Sequence, residues 1–214
     1  MHNRFRRRAA RFGLWLFRRY STSPAVGRAR PRRLRPALLF EQALDSDLYH
    51  AHLIPLVRLY FAFFNRAPDA AGLRYWLTIC LAGVGLETVE AAFASSGEFW
   101  DRVGVLDDEA FVCRLFNDMY GVAPAEDALL FYVGELQKGV CERSLMVSRF
   151  AASPDFHARI APEVYVTMMY LMLLGRVPDR PGFDYWLKRR RGGLHPANEI
   201  MASAEYQTRH AGAA

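Results

Sequence analysis

A chain that spells the same unusual sentence twice is building one local structure twice. NRAPDAAGLRYW, beginning at Asn65, returns as GRVPDRPGFDYW, beginning at Gly175, and both read Arg-x-Pro-Asp-x-x-Gly-x-x-Tyr-Trp. A worn third version, YGVAPAEDALLFYVGEL, lies between them. Aligning Pro68, Pro124 and Pro178 brings Tyr75, Phe131 and Tyr185 into register, as well as Trp76, Tyr132 and Trp186. Downstream, ASSGEF, AASPDF and MASAEY also correspond, and the prolines recur after 56 and then 54 residues. A period of that length points to helical repeats.

Each copy reads as helix, tight turn, helix, loop, helix. LVRLYFAFF, FVCRLFNDMY and VYVTMMYLMLL are apolar nearly all round, yet too short to cross a bilayer, so each is expected as a buried central helix. The Pro-Asp turn is expected to stop it, because proline disfavours helix in the preceding residue. Asp69 or Asp179 can then cap the next helix. Gly72 lies one turn before Trp76 and would let a neighbouring helix approach. Gly83, Gly139 and Gly192 are expected to end the second helix. In the third, Leu86, Val89 and Phe93 share a face, and Ser-x-Glu/Asp opens a final capped turn. No β-alternation of useful length occurs. The expected fold is all-α: three tandem repeats of about 55 residues (about 50–104, 105–160 and 161–210) packed into one globular body.

Charge separates this body, residues 37–214, from what precedes it. Residues 1–40 hold twelve arginines and no acidic residue, while residues 41–214 hold 16 Lys+Arg against 22 Asp+Glu. In HNRFRRRAARFGLWLFRRY, Phe5, Ala9, Phe12, Leu16 and Tyr20 fall on one helical face, with Arg4, Arg7, Arg11 and Arg18 opposite and Arg8 and Arg19 at its edge, so the separation is imperfect. A basic amphipathic helix of this kind suits an anionic membrane surface or an acidic protein partner. Two other readings stay open: an organelle transit peptide processed near RRYSTS, or a polybasic tail that only aids solubility. Residues 21–36, with three prolines, read as a linker. No nucleic-acid reading module accompanies the arginines, so nucleic acid is not the expected partner.

The combination Gly-Arg-x-Pro-Asp-x-x-Gly-x-x-Tyr-Trp with Ser-x-Glu-Phe resembles the bacterial family catalogued as domain of unknown function 4214. The resemblance covers roughly residues 54–210, strongly in the first and third copies and loosely in the second. It implies small helical modules in tandem, of the kind found in surface-layer and secreted proteins and near glycan-handling enzymes. It supplies no catalytic residues. A weaker likeness to phycobilisome linker domains lies in the aromatic helix and the Ser-x-Glu-Tyr ending. The chain departs from many relatives in having no glycine-aspartate calcium repeats and no recognisable export signal. Cytoplasmic or peripheral-membrane residence in a bacterium is the expectation, with the cell envelope, or an organelle if the N-terminus is a transit peptide, as alternatives.

Candidate site residues come from the repeated sentence. In the middle copy Arg66 is replaced by Val122 and Asp69 by Ala125. Joint loss suggests that Arg66 with Asp69, and Arg176 with Asp179, form a clasp across the turn; the other reading is a recognition site used by two copies. Tyr75 with Trp76, and Tyr185 with Trp186, read first as core, and alternatively as a platform for stacking sugars in a polysaccharide. Lys188, Arg189, Arg190 and Arg191 read as a solvated helix end favoured by the dipole, or as an anion contact. The three cysteines and six histidines show no metal-ligand spacing, and no nucleophile motif occurs, so neither cofactor nor catalysis is expected. The function expected is a non-catalytic helical adaptor that binds protein or envelope glycan through its repeats and docks through its basic tail. A scaffold or linker subunit of a larger assembly, and an accessory module of a glycan-modifying system, are the alternatives.

Overall fold

A computed structural model of the protein describes Phe40, Leu44 and residues 49–210. The expected basic helix and linker of residues 1–36 lie outside the described residues. Within them every regular element is helical. A π-helical turn, Tyr49–Leu53, runs into α1, Ile54–Phe64; then come α2, Ala70–Leu81, α3, Leu86–Ala94, and α4, Gly97–Val103. The middle copy supplies α5, Asp108–Tyr120, α6, Glu126–Gln137, α7, Arg143–Ala151, and α8, Pro154–Arg159. The last copy supplies α9, Ala161–Met169, a second π-helical turn, Tyr170–Leu174, α10, Arg180–Arg191, α11, Ala197–Ala202, and α12, Ala204–His210.

The backbone instructions for this path recur in register. Each central helix stops on a left-handed residue: Asn65 at φ 50°, Gly121 at 75° and Gly175 at 56°. Only glycine or asparagine takes that conformation at little cost, so this column, ahead of the proline turn, ends the helix. Each second helix stops the same way at Gly83, Gly139 and Gly193. In the third copy this corrects the expected Gly192, whose φ of −76° any residue could adopt. The final caps are as expected. Ser96 accepts from the Phe99 N–H at 3.2 Å, Ser153 from Phe156 at 3.2 Å and Ser203 from Tyr206 at 3.3 Å. Each cap satisfies a helix-end donor and starts the turn that carries an aromatic inward.

Two compact units are distinguished. One comprises Ile54–Pro68 and Gly72–Ala161, and so most of the first two copies. There α1 packs on α3, α4 and α7, and α5 packs on α6, α7 and α8. Tyr60, Phe63 and Phe64 meet Phe93, with Phe99 against Phe63, at centroid distances of 4.6–5.9 Å. The other unit holds Asp69–Ala71, Pro162 onward and the described residues up to Leu53. Its core joins Phe40 to Tyr165, Val166, Met169, Tyr170, Ile200 and Met201. The described start of the chain thus belongs with the third copy.

The central helices are not equally buried. Nine of the eleven residues of α1 and seven of the nine of α9 are buried, against four of the thirteen of α5. This corrects the expectation of three helices buried all round. Arg114 and Asn117 of α5 are exposed, and only Phe111, Val112, Leu115 and Met119 are buried.

Candidate functional site

The arginine of the repeated sentence reaches well beyond its own turn. Arg66 forks onto Glu98, Nε to Oε1 at 2.6 Å and Nη2 to Oε2 at 2.8 Å. Arg176 forks onto Glu205 in the same geometry, at 2.6 and 2.9 Å. Each guanidinium also donates through Nη1 to the next carbonyl, Ala67 or Val177, at 3.1 Å. The clasp therefore ties the first motif of a copy to the Ser-x-Glu cap at its end, about 30 residues on. A planar guanidinium and a carboxylate match for such parallel bonds, whereas Asp179 only grazes Arg176 at 3.5 Å. The expected Arg176–Asp179 clasp is present as the longer, secondary contact, and the principal partner is Glu205. These bonds hold the Glu205 carboxyl below its ordinary range and the Arg176 guanidinium above its own. In the middle copy Val122 has no charge for Asp155, and both are exposed.

The glycine of the sentence answers to a tyrosine one helix earlier. A Cβ on Gly182 would clash with the Tyr170 hydroxyl and lie 2.7 Å from Asp179 Oδ1. The phenol comes so near the first turn of α10 that only glycine leaves space. Burial raises the Tyr170 pKa, with Arg176 and a hydrogen bond from Trp186 opposing. Arg176 lies over the same ring, 4.8 Å from its centroid. Tyr60 occupies the corresponding position in the first copy, beneath Arg66 at 5.4 Å. In the middle copy the column holds Phe116, and Ala128 stands where the others have glycine. Five residues, Tyr, Arg, Asp, Gly and Trp, thus change together. The sequence motif therefore begins six positions earlier than its obvious start.

Asp69 caps α2 by accepting the Ala71 N–H at 3.1 Å. Asp179 takes cap backbone angles, φ −72° and ψ 157°, without a side-chain cap bond. Pro181 stands where the corresponding N–H would be and has none to give.

The aromatic pair divides its labour. Tyr75 is 59% exposed and Tyr185 52%, while Trp76 and Trp186 are half-buried. Each tyrosine stands edge-on to its tryptophan, at 4.9 Å and 77° or 4.8 Å and 83°. Trp76 packs on Phe93 at 5.6 Å, and Trp186 lies against the core around Tyr170. The core reading fails for both tyrosines and holds only in part for both tryptophans. Adjacent helix positions point 100° apart, so a helix that turns its tryptophan toward the core can leave the neighbouring tyrosine outside. Phe131 and Tyr132 repeat the arrangement, with Phe131 60% exposed.

Much of the basic run of α10 is engaged within its own unit. Arg189 donates Nη2 to both Glu199 oxygens, at 2.6 and 2.8 Å, and lies over the Tyr185 and Trp186 rings. Arg190 sits 4.1 Å above the Tyr165 ring, and Arg191 reaches buried Glu163 at 2.7 Å. Lys188 is exposed. Neighbours that neutralise or cover three guanidiniums leave little of an open anion site.

One further column escaped the sequence reading: Arg102, Arg159 and Arg209 follow their capping serines by six positions in every copy. Arg102 donates to the Phe63 carbonyl at 2.9 Å and to Asp118 Oδ2 at 2.6 Å. Arg159 donates to the Asp118 carbonyl at 3.0 Å. The end of the copy thereby satisfies carbonyls left open at the end of its central helix. Asp118 also accepts from Arg114 and Asn65. A cavity of about 10 Å³ beside it has room for one water and not for a substrate. Among the described residues no three His, Cys, Asp or Glu lie together as a metal site, and no helix is long and apolar enough to cross a membrane.

Comparison with characterised proteins and with solved structures returns no match. A family model does match, over residues 90–160 and 147–210. Each matched segment runs from one serine cap through the next, so the family's module starts at α3 or α7 rather than at the central helix. The two segments together span more than half of the chain, which belongs to the family described as Domain of unknown function (DUF4214).

Proposed function

We propose that the protein is a non-catalytic binding module that contacts a protein or an envelope glycan through the exposed tyrosines of its repeated sentence. The observation that carries this reading is the outward display of Tyr75 and Tyr185 on rigid mounts. Each stands edge-on to a half-buried tryptophan, and Arg189, paired with Glu199, lies over the Tyr185 ring. Exposed aromatic rings held in one orientation lose little entropy on binding and offer a flat apolar face. The basic segment with Arg4, Arg7, Arg8, Arg11, Phe12, Leu16, Arg18 and Arg19 would add salt-sensitive attraction to an anionic membrane or acidic partner. A glycan array and affinity capture from a bacterial lysate, each with wild type and with Tyr75→Ser plus Tyr185→Ser, test the tyrosines. Retention lost at unchanged melting temperature supports the reading. Retention unaffected by both substitutions overturns it. Flotation with anionic vesicles at low and high salt tests the basic segment separately.

A further inference from the structure

The middle copy carries a surface that the other two do not. Helix α6 buries no residue completely, and its inner side rests on Phe116 and Phe150 through Tyr132, at 5.7 and 5.1 Å. On the opposite side Asp127, Leu130, Phe131, Gly134 and Lys138 follow at spacings of three, four, seven and eleven from Asp127, and so form one stripe. Leu130 is 68% exposed, and a Cβ built on Gly134 would meet nothing within 4 Å. The corresponding positions in the first copy are Ala71, Arg74, Tyr75, Thr78 and Ala82; in the third they are Pro181, Asp184, Tyr185, Lys188 and Gly192. Only the middle copy has replaced the polar residues beside the aromatic by leucine and by an open glycine. Only it has put opposite charges at the two ends of the stripe.

From this pattern we infer that α6 is a self-association surface and that its partner is α6 of a second copy, laid antiparallel across a two-fold axis. An axis passing between Tyr132 and Val133 sets Asp127 opposite the partner's Lys138, and Lys138 opposite the partner's Asp127. The same axis sets Phe131 over the partner's Gly134, where the missing side chain leaves a hole for the ring, and repeats that fit on the other side. Such reciprocity is what a two-fold interface requires. Asp127 spends one oxygen on the Ala128 N–H at 2.8 Å, and the carboxylate stays exposed. Val122 and Val140, which precede and follow the helix, are exposed as well. One helix pair with two flanking valines is a small interface, below about 1,200 Å², so the dimer is weak and concentration-dependent. This inference does not rest on the tyrosine-binding reading, and Tyr75 and Tyr185 take no part in it.

Sedimentation velocity of the full chain over a wide concentration range gives the test. Wild type is expected to pass from monomer to dimer. Gly134→Gln is expected to keep or raise the melting temperature, since glutamine favours helix and the space around it is open, while weakening the dimer at least about tenfold. Asp127→Lys and Lys138→Asp each place like charges at both ends and are expected to be monomeric alone. Mixed in equal amounts they restore opposite charges at both ends and are expected to form a heterodimer, which a role in helix stability alone cannot produce. A wild type that stays monomeric throughout overturns the inference and leaves the stripe to some other protein. So does self-association indifferent to Gly134→Gln, or a mixture no more associated than its components. Association that responds to Arg7→Glu with Arg8→Glu but not to Gly134→Gln overturns it in favour of the basic segment as occupant.

Discussion

The middle and third copies follow the same backbone path with different chemistry. Around Tyr170 the third copy assembles a hydroxyl, an arginine, an aspartate, a glycine and an indole. The middle copy keeps the turn with Phe116, Val122, Ala125, Ala128 and Tyr132 at those positions. What both keep is the left-handed glycine before the turn, the serine cap, the inward aromatic at the end and the arginine three residues after it. The path is therefore set by backbone conformation, capping and aromatic burial. The polar cluster is an addition that two copies share. Its members stand or fall together because each fits a space or charge created by another.

The largest effect expected separates the inward aromatic from the more conspicuous tryptophan. Phe99 and Phe156 are fully buried, whereas Trp76 and Trp186 are half-buried. Phe99→Ala or Phe156→Ala should cost about 3–5 kcal/mol, the range for large aromatics in cores. Trp76→Ala or Trp186→Ala should cost less, because part of the ring surface is already in water. Urea denaturation of the four variants measures the difference. A tryptophan variant as damaging as Phe99→Ala would show that the indole anchors the module after all.

That ordering also marks where the sequence was legible. Helical class, repeat register and serine caps follow from periodicity and from side chains acting on backbone a few residues away, and such local physics is written in order along the chain. Asn65, Gly121 and Gly175 form an equally local column, legible just ahead of the proline turn. The partner of Arg176 was not readable in this way. Asp179 is three residues away and Glu205 twenty-nine, and only packing decides which carboxylate the guanidinium reaches. The same holds for Tyr75 and Trp76. Spacing placed them on a helix, but the direction of the core decided which of the two faced it.

A sharper test exchanges the chemistry of the two copies at one glycine. Gly182→Ala drives a methyl against the Tyr170 hydroxyl and should destabilise by about 1–3 kcal/mol, the usual range for overpacking, despite alanine's better helix propensity. Adding Tyr170→Phe removes the obstructing oxygen and reproduces the middle copy's Phe116 and Ala128. The double variant should then be more stable than Gly182→Ala alone. A purely additive loss, measured as a double-mutant cycle by thermal unfolding, would break the link between the two positions.

The smallest effect expected belongs to the clasp, and its sign depends on pH. The Arg176 and Glu205 side chains are 36% and 44% exposed, so solvent screens the pair and its worth is about 0.2–1 kcal/mol. Arg176 holds the Glu205 carboxyl below its ordinary pKa, chiefly through the forked hydrogen bonds. A carboxylate whose pKa is depressed by folding stabilises the fold above its unfolded pKa and loses that contribution as pH falls through the folded value. Glu205→Gln should therefore be slightly less stable than wild type at neutral pH, and the gap should close in acid, below about pH 4. The middle copy supplies the converse experiment. Val122→Arg with Asp155→Glu writes the clasp into a turn that forms without it, and should add a similar small increment with the same loss in acid. If the graft is neutral at every pH while Glu205→Gln shows its pH-dependent gap, the clasp needs the tyrosine beneath its arginine. The cluster around Tyr170 would then be a single cooperative unit, and the ion pair alone would contribute nothing.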